Sequence, residues 1–118
     1  MGFILFQVIK IMINIINDLV IGELQQMKGS SSKKDPFNSY LTKSYNKTAS
    51  LIANSCKAVA HIALQHENKG NMNQNTNILQ SAFLYGKNLG MAFQLMDDCL
   101  DFSASADLLG KPAAADLK

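Results

Sequence analysis

Three aspartates within five positions are the residues most suited to chemistry. Asp97, Asp98 and Asp101 lie inside the apolar run FQLMDDCLDF, residues 93–102. An unpaired carboxylate among apolar residues costs several kcal/mol or shifts its pKa, so the cluster needs either solvent or a cation. Two interpretations stay open from this spacing alone. One is a solvated acidic face near a helix end, and the other is a set of oxygen ligands for Mg²⁺, which is typically held by one or two carboxylates plus substrate phosphates.

On a helical wheel the three carboxylates lie on one side. Asp97 and Asp101 are one turn apart, and Asp98 lies on their flank. Like charges at i, i+4 destabilise a helix modestly, so an enclosed acidic face needs something cationic beside it. Two further residues fall within about 60° of the Asp97 and Asp101 positions at 3.6 residues per turn: Gly90 and Gln94. A separate apolar stripe predicts the face that packs into the core: Leu89, Phe93, Met96 and Leu100.

The composition limits the class of protein. A chain of 118 residues is one small domain or a piece of a larger one, and 47% apolar with 17% charged residues predicts a folded core. The net charge of +2 is too small to indicate nucleic acid as a partner. All eleven basic residues are lysines, so any phosphate contact must use an ammonium group. The two cysteines lack CxxC spacing, which excludes a zinc signature and a disulfide framework.

The fold class predicted from the residue pattern is all-α. No stretch shows sustained alternation with period two, and three segments keep helical spacing. A break in the second helix is predicted near residues 42–45, because a high Ser and Thr content lowers helix propensity. The predicted helices are about Phe3 to Lys28, Phe37 to Gln65 and Ile78 to Phe102. The predicted loops are residues 29–36, 66–77 and 103–118.

The first twenty residues are apolar enough to raise the question of a membrane helix. Four polar residues interrupt them: Lys10, Asn14, Asn17 and Asp18. A spanning helix needs roughly 20 mostly apolar residues with few or no charges, so no transmembrane segment is predicted. The basic start and small-residue cleavage site of a secretory signal are missing as well. The segment therefore predicts a buried or amphipathic helix that belongs to a larger core.

Several motifs in this order resemble the trans-isoprenyl (polyprenyl) diphosphate synthases. The run YGKNLGMAFQLMDDCLDF followed by GKPAAADLK resembles that family's second aspartate-rich region. The stretch YLTKSYNKTASLIANSCKAVA resembles its helix with a Lys-Thr pair, and DLVIGELQQ resembles an earlier helix. Within the family, the long-chain decaprenyl or solanesyl type and its catalytic subunit are the most similar. The resemblance covers nearly the whole chain, with the Asn-rich loop matched least.

The resemblance implies a fold, a reaction and a set of site residues. The fold would be a fragment of the isoprenoid synthase helical bundle around a central cavity. The reaction would be Mg²⁺-dependent ionisation of an allylic diphosphate and its condensation with isopentenyl diphosphate, for the side chain of a quinone. Asp97, Asp98 and Asp101 would hold Mg²⁺. Lys47 and Lys111 would bind the diphosphate, and Thr48 and Gln94 would contribute hydrogen bonds around the leaving group or the cation.

One part of the family pattern is missing from these 118 residues. Family members carry a first aspartate-rich motif followed by an arginine pair. This sequence has no DDxxD besides residues 97–101, which resemble the second motif, and it has no arginine. We therefore expect residues 1–118 to be the middle portion of a polyprenyl synthase domain, without the first motif and the C-terminal helices. Half of a metal cluster binds Mg²⁺ weakly, so we expect the chain alone to be inactive. Large exposed apolar faces would also lead either to aggregation or to folding that depends on a partner.

Alternative functions remain open at this point. A terpene cyclase of the related all-α fold also uses Asp-rich Mg²⁺ sites, but the KT and GKP motifs favour chain elongation. A truncated, non-catalytic helical subunit that docks on a full-length synthase is the alternative from a different class, and a membrane-surface role comes third. The resemblance also implies assembly as a homo- or hetero-oligomer with another synthase subunit. It implies a mitochondrial location, through the long-chain type only.

Overall fold

Four α-helices and one π-helical turn make up the part of the chain that the structure describes. The computed structural model describes residues 2–29, 34–67 and 71–109. The helices are α1 (Gly2–Lys28), α2 (Pro36–Ser44), α3 (Ser50–Glu67) and α4 (Met72–Leu109), and the π turn (Tyr45–Ala49) joins α2 to α3. No strand occurs in these three ranges, so the all-α prediction is confirmed.

The helix starts and stops follow local chemistry. Asp35 caps α2, because its Oδ1 accepts a hydrogen bond from the Asn38 N–H at 3.1 Å, and Pro36 occupies the first helical position. α1 ends before Gly29, whose φ of 67° is the left-handed conformation that glycine adopts most easily. α4 has 38 residues. It is therefore about 57 Å long at 1.5 Å per residue, which accounts for the 59 Å long axis of the molecule.

The helices form three layers with α3 and the π turn in the middle. α1 packs on one side of this middle layer and α4 on the other, antiparallel to α3. Glycines make the closest approaches. A Cβ on Gly86 would lie 2.7 Å from the Ala53 Cα, and a Cβ on Gly90 would lie 2.7 Å from the Ala49 Cα. Such a contact admits no larger residue, so these glycines set the distance between α3 and α4.

α4 packs through a face that differs from the predicted one. Its buried residues are Gly86 and Gly90. The predicted core stripe is exposed instead: Leu89 (51%), Phe93 (63%), Met96 (62%) and Leu100 (61%). The prediction assumed that the largest apolar side chains face the nearest helix. Small residues allow a closer backbone contact, so α3 selects the glycine face, and no described residue covers the stripe.

α1 is apolar on nearly all sides and packs through one narrow face. Ile11 and Gly22 are its buried residues, while most of its large apolar side chains are exposed. By length and composition α1 could cross a membrane, and core helices and signal sequences satisfy the same criterion. The sequence predicted a buried or amphipathic helix, and within the described residues α1 is buried on one face only, because α3 and the π turn cover one side. The predicted exposure of large apolar faces is confirmed.

The remaining bounds differ in two places. The regular α-helix ends where a break was predicted, since α2 stops at Ser44, but the chain continues without a loop through the π turn from Tyr45 into α3. The third predicted helix starts earlier and ends later than residues 78–102, since α4 runs from Met72 to Leu109. The Asn-rich segment therefore supplies the first turns of α4 rather than a long loop. The predicted bounds of α1 are confirmed to within a residue.

Candidate metal and diphosphate site

The π turn brings the Lys-Thr pair to face α4. The Ser50 N–H donates to the Tyr45 carbonyl, an i→i+5 bond, so this turn holds one residue more than an α-helical turn. Eight residues of regular α-helix would leave Tyr40 and Thr48 about 80° apart around the axis. The wider turn reduces that angle, and the side chains of both residues reach α4. Single π turns inside helices occur frequently at functional sites.

A chain of hydrogen bonds links the two helices. The Thr48 hydroxyl donates to the Gln94 Oε1 at 2.6 Å, and the Gln94 Nε2 donates to the Asp98 Oδ1 at 2.9 Å. The Tyr40 hydroxyl donates to the Asp98 Oδ2. An ionised carboxylate only accepts hydrogen bonds, so Gln94 must turn its NH₂ group towards Asp98 and its carbonyl towards Thr48. The orientation of the amide follows from this chemistry, and the Thr48 hydroxyl is a donor within the chain.

The three aspartates have different surroundings. Asp98 is half-buried and accepts hydrogen bonds at both oxygens, whereas Asp97 and Asp101 are exposed. One ligand oxygen from each lies within 4.8 Å of the others. Two oxygens of a single Mg²⁺ ion are at most about 4.2 Å apart, twice the Mg–O distance. The three carboxylates therefore fit one hydrated Mg²⁺ ion after small side-chain rotations, with waters or phosphate oxygens as its other ligands.

A cavity of about 220 Å³ opens beside this hydrogen-bond chain. Its lining includes Lys47 and Lys43, together with Tyr40, Gln94 and Asp98. Lys47 and Asp98 thus present opposite charges to one space, which suits a metal-bound anion. A second, more open cavity of about 690 Å³ shares Tyr40, Lys43 and Asp98 in its lining. The contact between Tyr40 and Asp98 therefore borders both cavities.

The environment changes the acidity of Tyr40. Burial raises the pKa of the Tyr40 hydroxyl above its usual value of 10.0, and the hydrogen bond with Asp98 and the negative charge of Asp98 raise it further. Tyr40 is therefore a neutral donor at physiological pH. The ammonium group of Lys43 lies 5.8 Å from the centre of the Tyr40 ring, a cation–π contact that helps to fix the ring.

The structure brings together most of the residues that the sequence singled out. Thr48, Gln94 and Asp98 are hydrogen-bonded in series, and Lys47 faces the same cavity. Lys111 lies outside the described residues. The Thr48 hydroxyl bonds to α4 rather than to its own helix backbone, which was the alternative for a threonine inside a helix.

Sequence reasoning missed two residues of this site, Tyr40 and Lys43. Both precede the Lys-Thr pair at helical spacing. Tyr40, Lys43 and Lys47 follow the i, i+3, i+7 pattern of one helix face. That signal was present in the sequence. It was ambiguous because the change of period in the π turn cannot be read from residue types.

Comparisons with known proteins concern the family of the chain. The family model of polyprenyl synthetase matches residues 4–118. All trans-polyprenyl-diphosphate synthase PDSS1 of Homo sapiens is 45% identical over 111 residues, which are 94% of this chain and 25% of that protein. Solanesyl-diphosphate synthase 1, mitochondrial, of Oryza sativa subsp. japonica is 40% identical over 112 residues, 95% of this chain and 24% of that protein.

A fungal relative extends the range of organisms. Probable hexaprenyl pyrophosphate synthase, mitochondrial, of Neurospora crassa is 43% identical over 119 aligned positions, covering 95% of this chain and 24% of that protein. No solved structure matches the chain significantly. The chain spans about a quarter of the length of the curated relatives it matches. The match of the family model over nearly all of its length shows that the chain belongs to the polyprenyl synthetase family.

Proposed function

We propose that this chain supplies the second metal-binding face of a polyprenyl diphosphate synthase. In the proposed reaction the C–O bond of an allylic diphosphate breaks, and its electron pair leaves with the diphosphate. The double bond of isopentenyl diphosphate then attacks the allylic cation, and loss of a proton restores a double bond. The proposed substrates are an allylic diphosphate and isopentenyl diphosphate, which the family resemblance implies; the relatives are named as synthases of prenyl diphosphates.

The roles of the residues follow from charge and position. Asp97, Asp98 and Asp101 would hold Mg²⁺, which when bound supplies positive charge to the departing diphosphate. Lys47 faces the same cavity and would bind a diphosphate oxygen. Lys111 would add a second cation, a role that rests on the family motif alone. Preorganised positive charge around a leaving anion is usually the largest catalytic contribution of such a site.

Thr48 and Gln94 would orient the site. Their hydrogen bond joins the π turn to the acidic helix, and Gln94 in turn holds Asp98. The two residues therefore couple the lysine side of the cavity to the carboxylate side. This series of bonds between two distant segments of the sequence is the observation that carries the proposal, because neither packing nor solubility requires it.

Two further statements belong to the same proposal. The rice and Neurospora relatives are named as mitochondrial, which supports a mitochondrial location for this protein. The prenyl chains in their names suit the side chain of a quinone. We also propose that α1 is a packed helix of the synthase rather than a membrane span. Its Asp18 and Gln25 side chains bond to Ser50 and Asn46 of the middle layer. These bonds identify the face through which α1 packs, and the charged Lys10 and Asp18 would be costly inside a bilayer.

The docking-subunit alternative has one observation in its favour, the large apolar surface of α1. Docking alone does not require a Lys-Thr pair hydrogen-bonded to an acidic helix. Assembly with a second synthase subunit remains part of the proposal in either case, since exposed apolar faces of this size indicate a partner surface.

A chimeric enzyme tests the proposed function. The matched quarter of the human relative is replaced by the corresponding residues of this chain, and elongation of an allylic diphosphate by isopentenyl diphosphate is measured. We expect the chimera to be active and the double variant Asp97→Ala, Asp98→Ala to be inactive. Asp107→Asn, an exposed acidic position further along α4, is the matched control and should leave activity unchanged. A folded but inactive chimera would refute the proposal.

The isolated chain gives a second test. We expect the purified 118 residues to show no elongation above the Asp97→Ala, Asp98→Ala control, because the sequence holds one aspartate-rich motif and no arginine. Activity above that control would show that one aspartate-rich face is sufficient, which contradicts the expectation.

A further inference from the structure

Tyr40 contacts the aspartate cluster but is not among the residues proposed to bind the metal ion or the diphosphate. It lies on α2, and its partner Asp98 lies 58 residues away on α4. Within the described ranges, Asp98 is the aspartate of the cluster whose two oxygens both receive hydrogen bonds, one from Gln94 and one from Tyr40. Two donors on the two oxygens fix the plane of the carboxylate, whereas one donor would leave it free to rotate.

The position of Tyr40 connects the hydrogen bond to the two cavities. Tyr40 and Asp98 line both the cavity of about 220 Å³ and that of about 690 Å³. The hydrogen bond between Tyr40 and Asp98 therefore orients the remaining lone pairs of Asp98 at the edge of the smaller cavity, which Lys47 also lines. A carboxylate has about four lone-pair sites, so two accepted hydrogen bonds leave capacity for a metal ion.

The ring of Tyr40 is itself held in place. Lys43 lies over it at 5.8 Å, on the same face of the helix. The π turn that follows aligns Tyr40 with Thr48, so both ends of the hydrogen-bond chain come from one helical run. Carboxylates that bind metal ions are commonly hydrogen-bonded by such outer residues, and losing an outer residue typically weakens metal affinity 10- to 100-fold.

We propose that Tyr40 is a positioning residue that orients the Asp98 carboxylate for Mg²⁺ by its hydroxyl hydrogen bond. This inference rests on the proposed function, because it requires a metal ion at the aspartate cluster. In this role Tyr40 would act through its hydrogen bond to Asp98 and not as a metal ligand. Its effect is to reduce the rotation of Asp98 that metal binding would otherwise have to freeze.

The test measures metal binding directly. Mn²⁺ replaces Mg²⁺ as a probe of oxygen ligands, inorganic pyrophosphate supplies the anion, and free Mn²⁺ is counted by electron paramagnetic resonance on the full 118-residue chain. We expect Tyr40→Phe to weaken Mn²⁺ binding about tenfold or more, with an unchanged helical circular dichroism signal. Tyr85→Phe is the matched control, since Tyr85 is an exposed tyrosine on α4. It should bind as the wild type does.

A second background shows whether Tyr40 acts through Asp98. In the Asp98→Asn variant the same Tyr40→Phe change should have no further effect on Mn²⁺ affinity. In the chimeric enzyme, Tyr40→Phe should raise the Mg²⁺ concentration needed for half-maximal rate, while the rate at saturating Mg²⁺ recovers. A residue with a merely structural role would lower the unfolding midpoint without moving the Mg²⁺ requirement.

The possible results separate this inference from the proposed function. If Asp97→Asn weakens Mn²⁺ binding but Tyr40→Phe does not, the role of Tyr40 is overturned and the proposed function stands. An equal effect of Tyr40→Phe in the Asp98→Asn background would also overturn it, as would loss of the helical signal in Tyr40→Phe. If Asp97→Asn leaves Mn²⁺ binding unchanged, the metal site fails and this inference fails with it.

Discussion

Two polar clusters flank the middle layer, and each pairs an aspartate with a hydroxyl group. On the α1 side, the Ser50 hydroxyl donates to Asp18, and the Asn54 amide donates to the Ser50 oxygen at 3.1 Å. On the α4 side, Tyr40 and Gln94 donate to Asp98. The first cluster is enclosed, with Ser50 at 0% exposure. The second borders a cavity with lysines in its lining.

The difference shows which carboxylate is free to do chemistry. Asp18 has its hydrogen bond inside a helix interface, where its role is to satisfy buried polar groups and fix the register of α1. Asp98 keeps lone pairs at a cavity edge, beside the exposed carboxylates of the adjacent Asp97 and of Asp101, almost one turn further on. The two hydrogen-bonded aspartates therefore differ in whether the carboxylate is enclosed between helices or borders a cavity. Four predictions test this contrast.

The largest effect is expected at the exposed carboxylates. Asp97→Asn removes negative charge that the proposed Mg²⁺ ion needs and leaves the side-chain shape unchanged. Elongation by the chimeric enzyme should fall about 100-fold or more, as when a group that stabilises developing charge is removed. Steady-state kinetics at fixed Mg²⁺ measures this, with Asp107→Asn as control. Asp18→Asn should change the rate far less, and equal losses at Asp18 and Asp97 would contradict the contrast.

The next effect concerns the contact that holds α4 against the π turn. A Cβ on Gly90 would lie 2.7 Å from the Ala49 Cα, so Gly90→Ala must push the helices apart. Overpacking of this kind typically costs about 1–3 kcal/mol of unfolding free energy. Urea unfolding of the full chain measures it, and Gly2→Ala, with no atom within 4 Å, is the control. The bond between Thr48 and Gln94 should weaken too, which would lower activity beyond the loss of stability.

A third substitution separates the two clusters by their energetics. Ser50→Ala removes the donor to the half-buried Asp18 carboxylate, while the Asn54 amide keeps its bond to the Ser50 carbonyl. We expect a cost of about 1–3 kcal/mol in unfolding free energy. The Mg²⁺ requirement of the chimeric enzyme should stay unchanged. Ser55→Ala, on the exposed side of α3, is the stability control. Thr48→Val should show the reverse pattern, a lower rate with a smaller loss of stability, and Thr48→Ser should restore the rate.

The smallest effect is a pH dependence in the enclosed cluster. Burial raises the pKa of the Tyr45 hydroxyl above 10.0, and the charge of Asp18 raises it further. The folded state thus favours the neutral tyrosine. Its contribution to stability is present below pH 10 and is lost as the pH rises through the raised pKa. Urea unfolding at pH 9 and at pH 11 measures how much unfolding free energy each variant loses as the pH rises. Tyr45→Phe should lose less than Tyr85→Phe, the exposed control, and equal losses would contradict this prediction.

The sequence allowed much of the site to be predicted but not its packing. Thr48, Gln94 and Asp98 were singled out by residue type and motif, and the structure places them in one hydrogen-bond chain. Tyr40 was missed because its alignment depends on the period of the π turn. The apolar stripe beginning at Leu89 was assigned to the core because hydrophobic patterning identifies a face able to pack, and this does not specify which neighbour is present.

By itself the sequence determined the all-α class, the bounds of α1, and an acidic face one helix turn from a glutamine. These features depend on interactions within three or four residues, which local spacing encodes. Only the tertiary structure decided that α4 packs through Gly86 and Gly90, and that Asp98 rather than Asp97 or Asp101 receives two donors. Those outcomes depend on contacts between segments roughly 30 to 60 residues apart, and at the glycines close backbone approach outweighs side-chain size.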